Sequence, residues 1–251
     1  MEMVSVEHHG WVVLVKLNHG ATNALSPKVV YELEGILRRV REDDAVKGLV
    51  LASSNQKFFS IGFDIPELFE MNMDHFKGFY RLFNQICMDL FTLPKPTVAA
   101  ITGHAIAGGC ILALCCDYRF IAQGHKLMGL NEVRLGMPVP YLPDRVLHAL
   151  AGFRRAREMM ESGEFYPPEK AFEMGIVDKI LPIEDVVKAA VEHAGTMGGL
   201  PKVGYEIIKQ NRVEVIAEAV KAREGQKETV FIESWYSDEA RERLKDAMKK
   251  F

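Results

Sequence analysis

The sequence predicts an α/β fold with parallel strands and right-handed crossovers. Three observations carry this. Short β-rich or wholly apolar runs recur through the first half. Stretches with apolar residues at helical spacing stand between them, and glycine-bearing turns join strand to helix. At 251 residues, with 48% hydrophobic and 26% charged residues, the composition excludes a disordered, collagen-like or disulfide-stapled chain. A chain of this length buries roughly 70–75% of its unfolded surface, enough for one large core and a small appendage.

Trp11 to Leu17 is β-rich and reads as a strand. Ser26 and Pro27 then supply an N-cap and a first helical residue. Val29, Leu33, Ile36, Leu37 and Val40 follow at helical spacing. The run Gly48 to Ala52 is apolar throughout, as in a buried parallel strand. A loop is expected from Lys57 to Phe63. Asp64 with Glu67 three residues on makes a capping-box-like helix start. Phe79, Phe83, Ile86, Leu90 and Phe91 mark another amphipathic helix, ended by Pro94. Thr97 to Thr102 reads as a third strand, Gly109 to Cys116 as a third helix and Tyr118 to Ala122 as a fourth strand. Ile176 to Leu181 is one late strand. Ile183 to Phe251 reads as helical and strongly charged.

Thirty-one basic and thirty-four acidic residues leave a formal charge of −3, so no global positive field would hold a nucleic-acid backbone. Cys87, Cys110, Cys115 and Cys116 sit in apolar stretches without a CxxC pair and read as small buried hydrophobes in a reducing compartment. Met1 to Gly10 has no basic segment followed by an apolar one, and cytoplasm is the expected location. Val98 to Cys116 approaches membrane-span length. Its glycines, Thr102 and His104, hemmed in by Pro94, Pro96 and Asp117, instead favour strand, turn and buried helix.

The standard motifs are absent. No GxGxxG follows a strand, the run Gly103 to Gly109 lacks the Lys-Ser/Thr of a phosphate loop, and there is no HExxH. Ser60 lies in FFSIG, where a hydrolase elbow needs a glycine at Phe58. The eight histidines are scattered and no metal site is expected.

Three segments remain that can carry chemistry. Phe59-Ser60-Ile61-Gly62-Phe63-Asp64 and Ala107-Gly108-Gly109-Cys110 are both strand-to-helix turns. Backbone N–H groups there lack helical partners, and two aimed at one point would make an oxyanion hole. They also read as ordinary glycine turns. The third segment places Glu132 among apolar neighbours at the edge of a turn. In an apolar pocket its pKa would rise and it could take and return a proton near neutral pH. Pairing with Arg134 on the surface is the plainer alternative.

Together these segments resemble the crotonase (enoyl-CoA hydratase/isomerase) superfamily. The resemblance runs in order through Asn23-Ala24-Leu25-Ser26, FSIGFDI (59–65), ITGHAIAGGCILALCCDYRFIA (101–122), GLNEVRLGMPVP (129–140) and EKAFEMGIVDKI (169–180). It implies a spiral of ββα units over residues 1–193 carrying an acyl-CoA site. It also implies a helical region over 194–251 that packs subunits into trimers or dimers of trimers. Acyl-CoA thioesters are the implied substrates, with no separate cofactor, since CoA is part of the substrate.

By the same resemblance the oxyanion donors fall on the N–H groups of Ile61 and Gly108. Ile61 stands where many members have alanine. Backbone near Ala24, Leu25, Lys57 and Phe59 would lie along the CoA adenine and pantetheine; Lys57 reads equally as a solvated loop lysine. Of the family's two catalytic glutamates, one maps onto Glu132 and the other onto Ile111. Hydration needs two acid/base groups, whereas a 1,3-proton shift needs one. The segment around Glu132, with an apolar residue at 111, looks most like the one-glutamate Δ3,Δ2-enoyl-CoA isomerases. The expected reaction is therefore 3-enoyl-CoA to 2-trans-enoyl-CoA.

Asp64 reads as a helix cap. Phe63, Leu68 and Met71 would line an acyl tunnel or pack the core. Ser237 to Lys250 reads as a solvated helix, and Phe231, Ile232 and Trp235 would pack on the tunnel or a neighbouring subunit. Other crotonase-type activities stay open: a hydratase, or a hydrolase or decarboxylase recruiting acids such as Glu161 or Glu164. So does a non-catalytic acyl-CoA-binding protein. An RNA-binding member is disfavoured by the charge balance.

Overall fold

A computed structural model describes residues 2–249; Met1, and the helical expectation for Lys250 and Phe251, lie outside the described residues. The chain opens with β1 (Val4–His9) and β2 (Val12–Leu17), an antiparallel pair turned at Gly10. Then follow α1 (Pro27–Glu42), β3 (Gly48–Ser53), β4 (Phe58–Ser60), α2 (Ile65–Phe69), α3 (Met73–Phe91), β5 (Thr97–Ile101), β6 (His104–Ile106) and α4 (Gly108–Leu114). Next come β7 (Tyr118–Ala122), β8 (Met128–Gly129), a 3-10 turn (Glu132–Leu135), α5 (Tyr141–Ser162), α6 (Pro168–Glu173) and β9 (Lys179–Leu181). Four helices close the chain: α7 (Ile183–Gly198), α8 (Lys202–Lys221), α9 (Glu224–Trp235) and α10 (Asp238–Met248).

The strands form two sheets. The larger has the order β1-β2-β3-β5-β7-β9 and is parallel beyond the first pair. The smaller, β4-β6-β8, is parallel throughout. From β3 onward the strand pairs β3/β4, β5/β6 and β7/β8 each give one strand to each sheet before the chain turns helical, which is the ββα repeat.

The apolar strands are explained by burial on both faces. Val13, Val15, Leu49 and Leu51 point into a core shared with α1, α3 and α4. Val12, Leu14, Val50 and Val98 point the other way, against Val186, Ala190 and Ala194 of α7. The 193/194 boundary falls inside α7, so the helices that stand off the sheet begin at α8.

The expected elements are present with shifted ends, and two expectations need correction. The segment 57–63 is not all loop, because Phe58–Ser60 pairs with β6. Ile183 to Phe251 is not one helical run but four helices separated by Pro201, Arg223 and Ser237. No helix among the described residues is long and apolar enough to cross a membrane, and Val98 to Cys116 divides into β5, β6 and α4. All four cysteines are buried and free.

Candidate active site

Glu132 opens the 3-10 turn that follows β8. Gly136 closes that turn in the left-handed conformation, φ 77°, where glycine carries no Cβ penalty. The Met137 N–H donates to the Glu132 carbonyl at 3.0 Å. α10 packs on the turn and, with the apolar wall, leaves Glu132 only 5% exposed. Its Oε2 has no hydrogen-bond partner among the described residues. Burial disfavours the charged form and pushes the carboxyl from 4.5 up to about 7. Arg134 does not neutralise it. That side chain turns outward to an ion pair with Glu164 and donates to the Ser162 carbonyl at 2.9 Å.

The two glycine turns meet beside it. A Cβ on Gly62 would lie 2.9 Å from the Gly108 nitrogen, and one on Gly109 would lie 2.3 Å from the Ser60 carbonyl oxygen. Neither position tolerates a side chain without moving backbone, which accounts for the glycines in FSIGFD and AGGC. Ala107 holds φ 47°, a strained conformation for a residue with a Cβ, and so aims the first turn of α4. The Gly108 N–H has no acceptor among the described residues.

The Ile61 N–H is already engaged, donating to the Thr22 carbonyl at 3.1 Å. Phe63 behaves differently. Leu25 donates to the Gly62 carbonyl at 2.7 Å and accepts from the Asp64 N–H at 3.2 Å. In a parallel bridge of this kind the N–H of the intervening residue points away from the partner strand. The Phe63 N–H also finds no acceptor among the described residues.

These groups border one cavity of about 670 Å³. Ile61, Phe63, Gly108, Ile111, Glu132 and Trp235 all line it. Its other ionisable residues are His104, His125, Arg134, Glu164, Arg243 and Asp246. Arg134 and Glu164 pair with each other, Asp246 pairs with Lys249 at 2.7 Å, and Arg243 donates to Glu239 at 2.9 Å. His104 Nδ1 accepts from the Leu127 N–H at 3.0 Å, and burial lowers its pKa. Among the described residues no three His, Cys, Asp or Glu side chains cluster to hold a metal ion.

A family described as "Enoyl-CoA hydratase/isomerase" matches residues 7–250. The chain belongs to the enoyl-CoA hydratase/isomerase family. Human mitochondrial enoyl-CoA delta isomerase 1 is 30% identical over 199 residues, 79% of this chain and 66% of that protein, just under two thirds of its length. The short-chain-enoyl-CoA hydratase of Clostridium acetobutylicum is also 30% identical, over 208 residues, 82% of this chain and 79% of that protein. The crystal structure of human mitochondrial delta3-delta2-enoyl-CoA isomerase superposes with a TM-score of 0.94 at 27% identity, covering 99% of this chain and 97% of that one. An enoyl-CoA hydratase from Bacillus anthracis gives 0.80 at 26% identity, covering 99% and 96%. The crotonase-like fold is thus common to both activities, and the site must separate them.

Several further residues of this family member can now be placed. Leu25 and Phe59 are fully buried, and Leu25 packs against Gly108. Ala24 is half-buried, with its carbonyl 2.8 Å from His19 Nδ1. Lys57 is exposed, its Nζ 5.5 Å over the Phe58 ring. None of these four lines the cavity, although Phe58 between two of them does. Leu68 is core, and Met71 packs against the core. Asp64 is a cap, accepting from the Glu67 N–H at 3.2 Å. Phe231 and Trp235 reach the cavity wall. α10 is not merely a solvated face: Ala240 and Leu244 are buried, and Arg243, Asp246 and Ala247 border the cavity. The sequence does not single out Asn131 and Trp235 as polar site groups, yet Asn131 Oδ1 and Trp235 Nε1 are buried without partners among the described residues.

Proposed function

We propose that the protein isomerises 3-enoyl-CoA thioesters to 2-trans-enoyl-CoA, with Glu132 as the proton shuttle. One observation carries the reading. A buried carboxylate, its Oε2 without a partner among the described residues, shares the cavity with Ile111, a side chain that holds no proton, at the position where a hydratase of this family would have its second acid.

The Glu132 carboxylate removes a proton from C2 of the 3-enoyl thioester. The electrons of that C–H bond pass into a dienolate, whose charge collects on the thioester oxygen. The N–H groups of Gly108 and Phe63 donate to that oxygen. Phe63 replaces Ile61 in this role, because the Ile61 N–H is committed to Thr22. Each such donor is worth about 3–4 kcal/mol in the barrier. Protonated Glu132 then returns the proton to C4, and the double bond settles between C2 and C3. A carboxyl with a pKa of about 7 suits both halves of this cycle. The reaction as written needs no separate cofactor.

The test is to supply 3-hexenoyl-CoA and 2-trans-hexenoyl-CoA separately and identify the products. The first should yield 2-trans-hexenoyl-CoA, and the second should remain largely unhydrated. 3-Hydroxyhexanoyl-CoA as the main product would make the protein a hydratase instead. Glu132→Gln keeps the shape and loses the base; it should lower isomerase kcat by about 10²- to 10⁴-fold. Near-full activity in that variant would remove Glu132 from the mechanism.

A further inference from the structure

The cavity beside Glu132 has a neighbour. A second cavity, of about 470 Å³, lies between α3, α5 and α9. Met137, Pro140 and Phe231 line both, and all three are buried. They form a wall common to the two cavities.

The wall is held shut by packing. The Phe231 ring stacks on Tyr80 of α3, with centroids 4.1 Å apart and planes 11° from parallel. Swinging the ring aside would break that stack and expose a residue now 2% accessible. The two sides also differ in chemistry. On the Glu132 side the wall continues into Phe63, Ile65, Ile111 and Trp235. On the far side the ionisable side chains of Asp144, Arg145, His148, Arg157, Glu161 and Lys227 stand among apolar ones such as Phe153 and Met160. A hydrocarbon tail is welcome in the first space. It would strip water from charges in the second.

We infer that Phe231 is the chain-length stop of the acyl site. This rests on the first cavity being an acyl-CoA site. The acyl tail of a short or medium-chain thioester ends against the Phe231 ring. A long-chain tail is refused, because it would have to displace the Tyr80 stack and enter a charged space. The substrate class is therefore short- to medium-chain enoyl-CoA.

The experiment compares kcat/KM for 3-hexenoyl-CoA and 3-hexadecenoyl-CoA in the wild type, Phe231→Leu and Phe231→Ala. The wild type should favour the hexenoyl substrate by at least about tenfold. Phe231→Ala joins the cavities and should raise the hexadecenoyl-to-hexenoyl ratio by at least about tenfold, with Phe231→Leu between. Val230→Ala, which borders only the second cavity, should leave the ratio unchanged. A wild type that turns over both substrates equally well overturns the inference. So does an unchanged ratio in a folded Phe231→Ala; if that variant does not fold, Phe231→Leu decides by the same criterion. The same ratio is read in binding, from the Kd values of hexanoyl-CoA and hexadecanoyl-CoA. Loss of the isomerase reading alone would thus show as chain-length selectivity without turnover.

Discussion

Glu132 keeps its proton to a higher pH than an ordinary glutamate, because the ionised form would sit in an apolar wall with no donor for Oε2. Two consequences follow at this one residue. In the proposed reaction it serves as a base only when ionised, so kcat/KM should fall as the pH drops below about 7, while Glu132→Gln should show no such limb. The second consequence is for stability. In the unfolded chain the carboxyl ionises near 4.5, in the folded chain near 7. Between those values the folded state binds more protons, so stability declines as pH rises and levels off above about 7. The full difference is at most about 3.5 kcal/mol. Urea unfolding at a series of pH values should show that decline in the wild type and not in Glu132→Gln. Parallel curves for the two proteins would mean that Glu132 is not desolvated. The residue scale also shows where the sequence was silent. Glu132 and Gly108 stand out by type and spacing. The free N–H of Phe63 does not, because it depends on which backbone groups the bridge to Leu25 consumes, and no residue identity records that.

Elements follow the same logic of partners and faces. α8 fully buries only Lys209 and Val213 along twenty residues, with Ile216 and Val220 partly buried against the core. A charged contact adds to this packing. Lys209 donates to Asp117 at 2.7 Å and to the Lys95 carbonyl at 2.9 Å, and Arg212 pairs with the same carboxylate. Asp117 also accepts from the Thr97 N–H at 2.9 Å, tying α8 to the starts of β5 and β7. Its carboxyl lies below the ordinary range: burial raises it, but the Lys209 and Arg212 charges outweigh that. Lys209→Met leaves a buried carboxylate with half its cationic partners and should cost about 2–4 kcal/mol in chemical denaturation. A loss below about 0.5 kcal/mol would mean that α8 is held by something else. Such long-range ion pairs were invisible in the sequence, whereas the elements they join were mostly legible. β2, β3, β5 and β7 announce themselves because both faces are buried and the runs are β-rich or mostly apolar. β1 was missed because His8, His9 and Glu7 give it an exposed, polar character. β4, β6 and β8 are two or three residues long, too short for any period to register, and they exist only by pairing with one another.

For the whole molecule, the decisive surface is the other side of α8. Val203, Ile207, Ile208 and Val215 are between 51% and 71% exposed, on the face opposite Lys209 and Val213. Single exposed apolar residues are ordinary, but four along one helix face make a patch that water disfavours. A neighbouring subunit covering this face would complete the packing of α8. The family resemblance implies trimers or dimers of trimers, and this face has the composition such an interface needs. Sedimentation equilibrium should therefore return a mass of three or six chains. Ile208→Asp places a charge at one of the two most exposed points of the patch and should shift the protein toward smaller species while leaving the helical circular dichroism in place. A monomeric wild type, or an Ile208→Asp protein with unchanged mass, would mean that α8 is not the contact. Because α9 and α10 follow α8 and complete the wall around Glu132, dissociation should also lower activity more than a surface substitution elsewhere. That fall should be reversed by raising protein concentration, which distinguishes a lost neighbour from a damaged site.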